Sequence, residues 1–176
     1  MTPTIEEPLT TARGAPARRR SLLDRIRAFQ QPEPRTPPWQ GRPEEAYHVL
    51  EGARAVIARG WIQDDWFARR PSDGPGDVAA ACLVGAVVYA AQQSGSGDPA
   101  VKAGPALDYL WDAWQESRGL GGTGVAGLAA PRELRMARVR DLTRWNDQPC
   151  RTREEVLDLV DLATSRAVMA AVSGSR

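Results

Sequence analysis

Apolar residues recur at helical spacing through most of the chain beyond residue 43. Ala46, Val49, Leu50, Ala53, Val56 and Ile57 fall on one face of a 3.6-residue period, and Gly60 is a natural stop for that helix. Residues Val78 to Ala91 are nearly all apolar or small. That run predicts a second helix, capped by Asp77, buried on every side and ended by Gly95. Asp98-Pro99 reads as a cap with its first turn. The third helix is predicted to restart at Pro105, with Leu107, Leu110, Trp111 and Trp114 on one stripe. Residues 119–130 are a glycine-rich loop, and Pro131 opens a fourth helix running to about Trp145. Thr152-Arg153-Glu154-Glu155 is a capping box for the last helix, whose inner stripe is Val156, Leu159, Val160 and Ala163. Residues 61–75 are the least helical and suit a short hairpin or turn pair around Asp73-Gly74. No internal repeat or heptad run occurs. The pattern predicts an all-α domain over residues 44–172, a compact bundle of about five helices packed around the 78–91 helix.

Residues 1–43 differ in kind. They hold eight of the 14 prolines, and eight arginines against four acidic residues, for a net charge of +4. The whole chain carries only +1, so the remainder carries −3. Dense proline fixes φ and removes backbone donors, which predicts a flexible arm. One stretch stands apart: Ser21 can cap a short helix in which Leu22, Leu23, Ile26 and Phe29 share a face. It reads as a linear element that orders on a partner, with Arg18, Arg19 and Arg20 beside it. The body is expected to fold without the arm.

Cysteine usage is low, at two in 176 residues, which points to a reducing compartment. The first 30 residues contain no secretory apolar core, because Asp24, Arg25 and Arg27 interrupt the segment after Arg18-Arg19-Arg20. The longest apolar run is shorter than the ~20 residues a membrane span requires. A cytoplasmic protein without a membrane span is expected.

Cys82 is a lone cysteine in a predicted core helix, and the sole histidine, His48, lies roughly 160° from Leu50, away from its helix's apolar stripe. A nucleophilic thiol needs a base or a positive neighbour, so Cys82 reads as a small buried hydrophobe, and a serine there as a buried hydroxyl lacking a partner. Two distant cysteines and one histidine do not make a zinc site, and Asp64-Asp65 reads as a solvated turn. The run Gly119-Leu120-Gly121-Gly122-Thr123-Gly124 lacks the lysine that a phosphate loop places on its ligand. No metal or cofactor is expected. Six tryptophans are notable, and Trp61, Trp66 and Trp145 are candidates to line a groove. Trp145-Asn146-Asp147-Gln148-Pro149 is the sharpest local feature. Asn and Asp there can bond backbone amides and close a helix–helix corner, with Arg151 beside the next helix start. A functional polar cluster is the alternative.

Trp61-Ile62-Gln63, Cys82-Leu83-Val84-Gly85-Ala86, Trp145-Asn146-Asp147 and Arg151-Thr152-Arg153-Glu154-Glu155-Val156 occur in that order. This combination, over about residues 46–165, resembles an uncharacterised family of small actinobacterial, proteobacterial and phage-associated proteins. That family has a Trp-Thr-Gln-like element, a Cys-x-x-Gly-Ala helix and a Trp-Asn-Asp…Arg-Thr-x-x-Glu-Val ending. The chain departs from it in Ile62 and in a longer loop before Pro131. The resemblance implies that Trp61, Gln63, Cys82, Asn146, Asp147 and Arg151 share one structural neighbourhood. It implies no reaction.

No nucleophile–base pair, metal set or phosphate loop emerges from the sequence. The expected function is therefore a non-enzymatic interaction or accessory module that docks on a protein partner, partly through its arm. The alternative is a small enzyme or ligand-binding protein with a Trp-lined polar pocket using Asn146, Asp147 and Arg151. A second alternative is weak, non-specific nucleic-acid binding by the arm, whose arginines can neutralise a few phosphates but lack interleaved aromatics.

Overall fold

The computed structural model describes residues 43–70, 76–95, 97–121 and 130–174. The arm, with Arg18–Arg20 and the Ser21–Phe29 element, lies outside the described residues. So do Asp73-Gly74 and most of the glycine-rich loop. In chain order the described elements are α1 (Pro43–Arg59), β1 (Phe67–Ala68), β2 (Ala80–Ala81), α2 (Leu83–Gln93), α3 (Pro99–Ser117), α4 (Arg132–Asn146) and α5 (Arg153–Gly174). The fold is all-α, with one minimal antiparallel sheet in which Phe67 pairs with Ala81 and Ala68 with Ala80.

α1 starts as its composition requires, with Pro43 in the first turn followed by Glu44 and Glu45, which suit the positive end of the helix dipole. It buries the six apolar residues that its period picks out. Its most extensive packing is with α5 and α2, and it also meets α3. The approach to α2 is close: a β-carbon on Gly52 would sit 2.9 Å from that of Ala90. α2 is buried on nearly every side, from Leu83 to Val88 and at Ala90 and Ala91, as an apolar central helix must be.

The structure corrects two helix starts. Asp77 is exposed and no helix follows it: residues 78 and 79 are irregular and Ala80–Ala81 form β2. Ala81 is held on both sides, its N–H donating to the Gly60 carbonyl at 3.1 Å and its own carbonyl accepting from Ile62 N at 3.3 Å. Small residues at 79–81 let three chain segments crowd together there, and the helix begins only after Cys82, the N-cap. The second correction concerns α3, which does not restart at Pro105 but runs unbroken from Pro99, with Pro105 inside it. Asp98 Oδ1 accepts from Ala100 N at 2.9 Å and caps that longer helix. Proline costs the bond to the Val101 carbonyl. Burial of Ala103 to Leu110 against the surrounding helices offsets that loss.

α4 is the outlier. Its buried residues are Arg138, Leu142 and Asn146, a stripe at four-residue spacing with only one apolar member. Arg138 Nη1 donates to Asp108 Oδ1 at 2.8 Å and Arg135 Nη2 to Asp108 Oδ2 at 3.0 Å, so a buried carboxylate on α3 anchors the middle of α4. Asn146 anchors its end.

α5 starts with both halves of the capping box in place: Glu155 N donates to Thr152 Oγ1 at 3.2 Å and Thr152 N to Glu155 Oε2 at 2.9 Å. That backbone donor is the main reason the Glu155 carboxyl is held below its ordinary pKa. Thr152→Ala removes one half of the box and is expected to cost about 1 kcal/mol. The check is the chemical-denaturation midpoint. An unchanged midpoint would mean that the cap contributes nothing to the domain.

Candidate functional site

The residues singled out between Trp61 and Arg151 meet at the last residue of α4. Asn146 is completely buried. Its Oδ1 accepts from Trp61 Nε1 at 2.8 Å and from Leu83 N at 3.1 Å. Its Nδ2 donates to the Ile62 carbonyl at 3.2 Å and to Asp147 Oδ1 at 2.7 Å. A primary amide has two donors and two acceptor lone pairs, so the Asn146 side chain is fully used. Its backbone carbonyl accepts from Gln63 Nε2 at 2.8 Å, and the same nitrogen reaches the Gln148 carbonyl at 2.7 Å. Asp147 Oδ1 also accepts from Asp64 N at 3.2 Å. Asp64 stands at φ 62, in the left-handed region that Asp tolerates better than most side chains.

One of these bonds settles a helix end. Leu83 N is among the first N–H groups of α2, which have no partner inside the helix. Asn146 satisfies that one, and Cys82 Sγ accepts from Gly85 N at 3.3 Å. Cys82 N donates in turn to the Trp66 carbonyl at 3.3 Å. A β-carbon on Gly85 would fall 2.3 Å from that carbonyl oxygen, so only glycine fits at position 85. The Cys-x-x-Gly pair is thus a cap and a close approach. This revises the expected effect of Cys82→Ser: a hydroxyl at 82 has a backbone donor waiting, and serine is a good N-cap. Burial is the main cause that pushes the Cys82 thiol from 9.0 up to about 11. His48 is exposed on α1 and supplies it no base.

Arg151 closes the other side of the corner. Its Nε donates to the Trp145 carbonyl at 3.3 Å and its Nη2 to Gln148 Oε1 at 2.6 Å. Its Nη1 lies 3.2 Å from Glu155 Oε2, and its guanidinium stacks 4.1 Å from the Trp145 ring centroid. Trp61, Gln63, Cys82, Trp145, Asn146, Asp147 and Arg151 therefore occupy one neighbourhood. Their polar atoms are engaged chiefly with backbone groups and with each other, as a structural corner requires.

Beyond this corner lies a cleft of about 390 Å³ lined by Ser117, Arg118, Trp145, Arg151, Glu155, Asp158, Leu159 and Leu162. Of the three tryptophans expected to line a groove, Trp145 alone lines it. Trp61 spends its N–H on Asn146, and Trp66 belongs to the α2 cap. The sequence reading missed the Asp108–Arg135–Arg138 cluster and the ring pair Trp111–Trp114, centroids 4.9 Å apart, over which Arg138 and Arg118 lie. Arg138, Leu142 and Asn146 keep one helical face, but with a single apolar member that face shows no hydrophobic period. Tyr109 Oη, Trp114 Nε1 and Arg138 Nε are buried there without a hydrogen-bond partner among the described residues. No group of three potential metal ligands occurs among the described residues, and no helix among them is long and apolar enough to cross a membrane.

A family model described as a family of unknown function, DUF6197, matches residues 41–166, and the chain belongs to that family. This agrees with the resemblance to an uncharacterised family. No curated protein and no solved structure matches the chain.

Two outcomes follow from the corner. Asn146→Ala leaves Trp61 Nε1 and Leu83 N buried without an acceptor and is expected to cost roughly 3 kcal/mol. Asn146→Asp keeps the acceptor but sets a carboxylate against Asp147 Oδ1 and the Ile62 carbonyl, and should cost as much. Denaturant titration of both variants is the check, and a near-neutral Asn146→Asp would show that the Nδ2 bonds contribute little. For Cys82, the folded thiol is harder to ionise than the unfolded one. Its stabilising effect is complete below pH 9 and is lost progressively as pH rises to about 11. Thiol labelling of the native protein at pH 8 should modify exposed Cys150 well before Cys82. Equal rates would show that the capping sulfur is accessible.

Proposed function

Taking membership of a family without an assigned activity as the premise, we propose that the chain is a non-enzymatic interaction module that docks on a protein partner. The last turns of α5 and the proline- and arginine-rich arm are its contacts. The observation that carries this reading is the end of α5. Its inner stripe is buried as far as Ala167, and no residue from Val168 to Ser173 is buried. Val168, Met169 and Val172 are 42%, 69% and 61% exposed. An isolated stretch of helix is marginal in water, and clustered apolar side chains on a surface mark interaction sites more often than chance contacts. The last ion pair on α5, from Arg166 to Glu116, lies before this segment. The segment from Ala167 to Gly174 carries no charge of its own, so the partner surface that suits it is an apolar groove. The corner supports the same reading, because its polar atoms are occupied in holding helices together.

The test is site-specific photo-crosslinking from position 169 in the full chain, against the same probe at exposed Glu51 on α1. A partner captured only from position 169 is then purified and titrated. The double variant Met169→Glu, Val172→Glu should weaken its binding at least about tenfold with an unchanged melting temperature. Removal of residues 1–42 should weaken it further. Identical capture from both positions, or unaltered affinity of the double variant, would sink the proposal.

A further inference from the structure

We infer that the cleft at the junction of α3, α4 and α5 is a binding site for a small dipolar molecule, of the class of a free α-amino acid with an apolar side chain. This goes beyond docking on a partner and does not depend on it. The cleft is assembled from three places: Ser117 and Arg118 where α3 ends, Trp145 from the last turn of α4, and Arg151, Glu155, Asp158, Leu159 and Leu162 at and beyond the start of α5. Its volume, about 390 Å³, falls in the range of small-molecule sites.

The charges on its wall select the ligand. Arg151 and Glu155 are spent: they pair with each other at 3.2 Å, and Arg151 is further committed to Trp145 and Gln148. Arg118 and Asp158 are not. Neither side chain forms a hydrogen bond or ion pair among the described residues. Arg118 is nevertheless held in place, its guanidinium 4.7 Å from the Trp114 ring centroid. One uncommitted cation and one uncommitted anion therefore stand on a wall that also holds Ser117 and the Arg151–Glu155 pair and whose apolar surface is Trp145, Leu159 and Leu162. A simple anion would meet Asp158 and Glu155, and a simple cation would meet Arg118 and Arg151. An uncharged apolar molecule would use neither free charge. A molecule bearing a carboxylate for Arg118, an ammonium for Asp158 and an apolar side chain for the indole and leucines satisfies all of them. A planar guanidinium also suits a carboxylate better than an ammonium would.

The experiment is calorimetric titration of the full chain with L-phenylalanine and L-leucine, alongside N-acetyl-phenylalanine and phenylalaninamide. Saturable binding of the free amino acids is expected, weakened at least about tenfold by capping either end. Arg118→Gln should bind the amide as well as the acid, and Asp158→Asn should no longer distinguish the acetylated form. Both side chains are exposed and stand outside the polar corner, so both variants should melt with the parent. Absence of saturable binding by either amino acid at about 10 mM would overturn the inference. So would binding indifferent to capping or to the two variants.

Discussion

The side-chain amide of Asn146 is the interaction on which the arrangement of the domain depends. It terminates α4, supplies an acceptor to the first turn of α2 and holds the segment leaving α1 through Trp61 and Ile62. Three chain segments far apart in sequence are thereby brought to one amide group that makes four hydrogen bonds. A buried polar network of this kind gains little net energy when complete and costs a great deal when broken. Its contribution is one of uniqueness: apolar packing alone would let α4 slide or rotate against its neighbours, whereas the three directional bonds to Trp61, Ile62 and Leu83 admit one placement. Asp64 shows the tightness of the fit, since its left-handed backbone, worth about 1 kcal/mol of strain, is accepted where its N–H meets Asp147.

The same logic extends along α4. Its inward face carries Arg138 and Asn146 with only Leu142 between them, so the helix is fastened by an ion pair at its middle and an amide at its end. A buried charge pair is poor evidence of extra stability, because desolvation consumes much of the Coulombic gain. Removing one arginine is another matter, since Asp108 would then stay buried with one of its two ion-pair partners gone. The helix with the least apolar sequence is thus held by the most directional contacts in the domain.

This is also why the sequence was legible in some places and not in others. The inner stripes of α1 and α5 are apolar and period-regular, so Ala46 to Ile57 and Val156 to Ala163 could be read directly. The capping box at Thr152 could be read too, because its chemistry is entirely local. Asp77 and Pro105 misled because their local signals are real but were outweighed. The bonds of Ala81 to Gly60 and Ile62 keep the segment before Cys82 out of the helix, and burial of Ala103 to Leu110 carries α3 through a proline. The face of α4 was hidden because hydrophobic periodicity counts an arginine and an asparagine as outward. The neighbourhood of Trp61, Gln63, Cys82, Asn146, Asp147 and Arg151 was legible only through the resemblance, since nothing in spacing alone joins residue 61 to residue 146. The role of Cys82 was not legible at all: a core thiol and a capping thiol share the same apolar surroundings, and only the start of α2 tells them apart.

Arg151 joins the two halves of the functional question. Three of its contacts, to the Trp145 carbonyl, to Gln148 and to the Trp145 ring, belong to the corner, while its guanidinium and that same ring form part of the cleft wall. The cleft is consequently shaped by the elements that close the fold and needs no separate loop to preorganise it. Preorganisation of that kind lowers the ordering entropy that a small ligand must overcome on binding. It also separates the two surfaces physically. The cleft sits at the first turns of α5, and the exposed apolar segment begins only at Val168, beyond the last buried residue of the same helix. With a rise of 1.5 Å per residue, Asp158 and Val168 are about 15 Å apart along the axis. The proposed ligand and the proposed partner would therefore occupy separate stretches of one helix.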